Sequence, residues 1–129
     1  MREKTTLETS KKTSALRQIE TAIRLFHEGS LDCAITLAAA GENILPATSD
    51  PHLFQSLQPH NAELDINLVI NWLKHPFAPD TATISEFEAA IAIARGITKF
   101  VAVYHQSCAP FETFLRWSHE AGHLPKLYA

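Results

Sequence analysis

His119, Glu120 and His123 stand in the order His-Glu-x-x-His. On a rigid helix that order sets two imidazoles one turn apart for a zinc ion, with the glutamate as general base. A catalytic zinc of this type also needs a third protein ligand and an open position for water. The residues that follow, LPKLYA, contain no His, Cys, Asp or Glu, and Gly122 loosens the helix where fixed spacing is required. Seven histidines in the chain make the pentapeptide a chance match, with both imidazoles complementing the negative end of a helix. No metallopeptidase and no cofactor are expected. The remaining metal reading joins His119 and His123 to His105 or Cys108.

A second group of residues is quieter. In AITLAAAGENIL, a helical wheel puts Ile35, Ala38, Glu42 and Leu45 on one stripe, so a carboxylate sits among residues that face a core. It also lies at the unfavourable end of the helix dipole. Unpaired burial there costs several kcal/mol, on the order of the penalty for an uncompensated charge, so Glu42 is expected to meet a donor or to bend into water. In INLVINWLKH, Asn67, Asn71 and His75 recur every four residues and form a polar stripe, with Lys74 beside it. A solvated face with Lys74 and His75 at a helix C-terminus explains that stripe structurally. A binding surface explains it functionally, with Glu42, Asn67, Asn71, Lys74 and His75 as ligand-binding candidates. Glu42 is expected to pair with Lys74, His75 or Asn71.

The elements that must position these residues are helical. Four glycines and no Asn-Gly or Asp-Gly turn leave the chain without the punctuation of a sheet protein, while apolar residues recur at three and four. The first helix is capped by Thr13 or Ser14, buries Leu16, Ile19, Ile23 and Phe26, and stops at Gly29. Ser30 caps the second, which ends near Pro46, and the short link makes the two an antiparallel hairpin. A loop with a helical turn at Pro51–Leu57 leads to a third helix ended by Pro76. Over residues 84–107, ITKFVAVY favours a strand by composition. Phe87, Ala90, Ala94, Ile97, Val101 and Tyr104 nevertheless keep helical spacing, which predicts one long helix. Pro110 opens a fifth helix carrying Phe111, Phe114 and Leu115, and Gly122 with Pro125 ends it. The expectation is an all-α, up-and-down bundle of about five helices, with 1–12 as a disordered tail and 13–129 as a single domain.

The totals agree with one domain. A chain of 129 residues with 46% hydrophobic content supports one continuous core. Eleven basic residues against 14 acidic ones give no global positive field for nucleic acid or anionic lipid, so such binding needs a local patch. Two cysteines outside any CxxC pair fit a reducing compartment. The opening MREKTTLETSKKTS reads as neither signal peptide nor anchor, and no run of about 18 apolar residues occurs, so a cytoplasmic protein without membrane association is expected.

The pattern LAAAGENIL, followed by NWLKHPFAPD, resembles a group of uncharacterised bacterial proteins in which Leu-Ala-x-Ala-Ala-Glu-x-Ile-Leu precedes Asn-x-x-Lys-His. Leu37, Ala38, Ala40, Glu42, Ile44, Leu45, Asn71, Lys74 and His75 carry the match. Gly41 stands where the group has alanine, and Asp80 precedes threonine where the group has proline. Over roughly residues 15 to 117 the chain is similar, more distantly, to HEPN domains. Those are helical bundles that commonly form dimers, and many are ribonucleases or nucleic-acid-related toxins with an Arg-x(4–6)-His motif near the dimer interface. The resemblance implies a homodimer.

Against the form Arg-Asn-x-x-x-His, Asn71 and His75 match, but Ile70 occupies the arginine position. Metal-independent RNA cleavage needs an acid or base and a cation for the phosphorane charge, and Lys74 lacks the guanidinium fork. Arg116 and His123 match the motif by spacing alone. The resemblance with its missing arginine implies a degenerate domain that binds a nucleotide, RNA or a partner protein without catalysis. One alternative is an active ribonuclease using His75 with Lys74, Arg95 or Arg116. The other is a structural or protein-interaction bundle. No phosphate-cradling glycine loop, Cys-His nucleophile or aromatic RNA-binding sheet is present.

Overall fold

Ile19 of the first helix packs between two glycines, and that contact sets how closely the central helices approach. A Cβ at Gly41 would lie 2.9 Å from Ile19 Cγ1 and 3.2 Å from the carbonyl oxygen of Ala15, and one at Gly96 would lie 3.3 Å from Ile19 Cγ1 and Cδ1. The computed structural model describes residues 5–47 and 66–124. These form five helices: α1 (Lys11–His27), α2 (Leu31–Asn43), α3 (Ile66–Lys74), α4 (Glu86–Tyr104) and α5 (Ala109–Glu120), with no strand among the described residues. The chain is an all-α bundle. The expected turn at Pro51–Leu57, the start of the third helix before Ile66, and Pro125 lie outside the described residues.

The core of α1, α2 and α4 is built from small residues facing large ones. Ala15, Ala22, Ala34, Ala38, Ala39, Ala90 and Ala94 are buried with Ile19, Ile35, Ile93 and Ile97. Alanine lets helix axes approach, and each isoleucine fills the space left opposite. At one end Phe111 and Phe114 of α5 are buried. They meet Phe100 and Phe26 edge-on at centroid distances of 5.6 and 5.3 Å, the arrangement that the aromatic quadrupole favours.

Local chemistry sets the helix ends. The α1 cap is Ser10, whose Oγ accepts from the Thr13 amide at 3.0 Å. The helix therefore starts at Lys11, ahead of the expected caps Thr13 and Ser14. Lys11 and Lys12 are good helix formers, and the first hydroxyl upstream of them takes the orphan amide. Gly29, at φ 85°, closes a Schellman turn: its amide bonds Phe26 O at 3.0 Å, and the Ser30 amide bonds Leu25 O at 2.9 Å. Ser30 occupies the α2 N-cap position but makes no side-chain cap bond. The link is too short for anything but an antiparallel α1–α2 pair.

In α4 the β-branched run stays helical. Ser85 and Glu88 form a reciprocal capping box, with bonds of 3.1 and 2.9 Å. Thr98 is buried and donates its hydroxyl to Ala94 O at 2.7 Å. With Ile97 and Phe100 buried, core packing outweighs strand propensity. Among the described residues no helix is long and apolar enough to cross a membrane.

Candidate functional site

Glu42 is 5% exposed on the stripe formed with Ile35, Ala38 and Leu45, all buried. Its partner comes from α4: Arg95 Nη2 donates to Glu42 Oε1 at 3.1 Å, and Nη1 donates to Asn67 Oδ1 at 3.0 Å. One turn further along, Lys99 Nζ donates to the main-chain oxygen of Glu42 at 3.0 Å. The ammonium thereby caps the negative end of α2.

The expected pairing of Glu42 with Asn71, Lys74 or His75 is corrected: those three are exposed at the other end of α3. Asn67 and His75 are eight residues apart, which on a helical rise of 1.5 Å per residue is roughly 12 Å. Arg95 spans from the α2 end to Asn67 in the first described turn of α3, so Asn67 joins the cluster and His75 does not. Arg95 and Lys99 do carry a signal in the sequence. They are the two charged residues in AAIAIARGITKFVAVY, spaced by four, and two cations on an apolar helix call for acceptors.

At the C-terminal end of α3 the chain forms an exposed corner. The His75 amide bonds Asn71 O at 3.1 Å and the Phe77 amide bonds His75 O at 2.8 Å. The Trp72 indole nitrogen donates to Pro79 O at 2.7 Å, which folds the loop back onto α3. Phe77 is thereby held with its ring 5.3 Å from that of His75 while remaining 57% exposed. Asn71, Lys74 and His75 are exposed towards the same end of α3. The corner presents two aromatic faces, an ammonium and a carboxamide. Sequence reasoning named Asn71, Lys74 and His75 but not Phe77, whose position depends on the Trp72 bond.

The arginine position of the expected motif is occupied by Ile70, 8% exposed and part of the core. Arg95 is engaged by Glu42 and Asn67, and Arg116 is exposed on α5. Among the described residues the side chain of His75 meets the ring of Phe77 and no arginine.

The His-Glu-x-x-His stretch loses its spacing for a backbone reason. Gly122 takes φ 82°, its amide bonds His119 O at 3.0 Å, and the His123 amide bonds Ser118 O at 2.8 Å. This Schellman turn ends α5 before His123. The His123 ring lies 5.8 Å from Trp117 and 6.0 Å from Phe87, with Nε2 3.8 Å from Glu86 Oε1. His119 is half-buried on the helix proper. Among the described residues no three His, Cys, Asp or Glu side chains converge as a metal site. His105 is exposed in a left-handed C-cap at φ 54°.

Cys108 turns its Sγ to Glu20 Oε1 at 3.8 Å. Burial pushes its thiol up, the Glu20 and Glu112 carboxylates push the same way, and a hydrogen bond from the Phe111 backbone opposes them. Cys33 is exposed. At pH 8, a disulfide reagent is expected to modify Cys33 rapidly and Cys108 slowly, since the thiolate is the nucleophile. Peptide mapping after partial labelling checks the order, and Cys33→Ser should remove the fast phase.

No family model matches the chain, and neither a curated protein nor a solved structure is significantly similar to it.

Proposed function

We propose that this chain is a non-catalytic, HEPN-like binding domain that takes single-stranded RNA or a nucleotide on the α3 corner formed by Asn71, Lys74, His75 and Phe77. The observation that carries the reading is the separation of the motif's parts. His75 lies exposed against Phe77, Ile70 fills the arginine position from within the core, and Arg95 is committed to Glu42 and Asn67. An imidazole without a guanidinium beside it lacks the forked cation that would stabilise a phosphorane, and Lys74 offers only a point charge, which argues against the ribonuclease alternative.

What remains is suited to binding. Aromatic faces stack on bases, an ammonium contacts phosphate as a point charge, and a carboxamide offers both donor and acceptor to a base edge. The resemblance of NWLKH to the HEPN form supports the same surface. Fluorescence anisotropy with a labelled uridine-rich oligonucleotide at low salt tests it. Stacking on one aromatic side chain contributes about 1–3 kcal/mol per base, so Phe77→Ala should weaken binding by about tenfold, and the oligonucleotide should remain uncleaved. A wild-type chain that binds neither RNA nor mononucleotides would end this reading.

Leu68 favours a second reading. It lies on the outer face of α3 and is 66% exposed, an apolar surface of the kind that protein interfaces bury at their centre. A homodimer through α3, as the HEPN resemblance implies, would cover it. Light scattering should then give a dimer that Leu68→Asp converts to a monomer, and a wild-type monomer at high concentration removes this reading.

A further inference from the structure

We infer that Arg95 is a positioning residue, a latch that sets the pose of α3 and with it the exposed corner. Among the nine described residues of α3, Ile66 and Ile70 are buried and Val69 and Leu73 pack partly against the core, so apolar contact alone fixes this segment less firmly than it fixes α1, α2 and α4. Arg95 supplies a directional tie. One guanidinium nitrogen holds Asn67 of α3 at 3.0 Å and the other holds Glu42 of α2 at 3.1 Å. Glu42 is in turn fixed through its carbonyl by Lys99 at 3.0 Å.

The latch is therefore anchored in the α2–α4 core, while its other end grips α3, which among the described helices has the fewest buried side chains. A planar fork whose donors diverge in fixed directions suits this role; the Arg95 side chain is 17% exposed, its bond to Glu42 is partly buried, and its bond to Asn67 lies at the surface. Local opening occurs first where buried apolar contact is thinnest. Here that is α3. Because Trp72 ties Pro79 to α3, the loop bearing Phe77 moves with the helix, so Asn71, Lys74, His75 and Phe77 open and close as one unit. Their role in binding rests on the reading proposed above; the latch itself does not.

Hydrogen exchange on the full, unliganded chain tests the inference. Asn67→Ala removes the α3 end of the bridge and leaves Glu42 and Arg95 paired. The α3 amides should then exchange roughly two- to fivefold faster, the size expected for loss of one surface hydrogen bond, while those of α1, α2, α4 and α5 keep their wild-type rates. Asn67→Asp retains an acceptor for the guanidinium and should restore slow exchange in α3. Unchanged α3 exchange in Asn67→Ala overturns the latch, as does equal acceleration in every helix or a failure of Asn67→Asp to restore protection. A wild type that binds no RNA removes the binding role of the corner without touching this result, since exchange is read without ligand.

Discussion

Glu42→Ala is expected to lower the stability of the fold by about 3–5 kcal/mol, the cost of stranding one member of a buried ion pair. The carboxylate is 7% exposed and its Arg95 partner 17% exposed. Removing it therefore leaves a guanidinium donor facing a cavity in poorly hydrated surroundings. Urea denaturation followed by circular dichroism measures the change, with the m-value showing whether unfolding remains cooperative. The control is Glu42→Leu combined with Arg95→Leu, which removes both charges. Replacing a buried pair with apolar groups of similar volume is often neutral, so the double variant should recover most of the loss. An unchanged midpoint for Glu42→Ala would show that water compensates Arg95 and that the cluster contributes little.

Gly41→Ala should cost about 1–2 kcal/mol, even though alanine is the better helix former by about 1 kcal/mol. The added methyl would sit 2.9 Å from Ile19 Cγ1 and 3.2 Å from Ala15 O. The second of these is backbone and cannot rotate away. α1 and α2 must separate, and the close contacts through Ala15 and Ala38 loosen with them. In an Ile19→Ala background the same substitution should cost less, because one of the two obstacles has gone. Equal costs in both backgrounds would show that Ile19 does not set the spacing.

Much of the architecture was legible in the sequence because it rests on local rules. Helical spacing through ITKFVAVY outweighed its strand-like composition, as the burial of Ile97 and Phe100 shows. Gly29 and Gly122 marked helix ends because each takes a positive φ, where glycine alone escapes the Cβ penalty. The stripe of Ile35, Ala38 and Leu45 fixes the direction of Glu42 by periodicity, which left two outcomes open, a buried carboxylate with a donor or one bent into water. The need for a donor followed from electrostatics. Its identity did not, since a helical wheel gives the angle of a side chain about its own axis and nothing about which helix lies opposite.

Tertiary structure decided that identity. The end of α2 lies against the middle of α4, where Arg95 and Lys99 bond Glu42 and Arg95 also holds Asn67 of α3, while Asn71, Lys74 and His75 are exposed. It also placed Ile70 in the core and used the Trp72–Pro79 bond to set Phe77 beside His75. Periodicity and capping are properties of one segment, and the sequence by itself determined them. Pairing between segments depends on how helices of particular shape pack together, and the close approach at Gly41 and Gly96 became visible only in the folded chain.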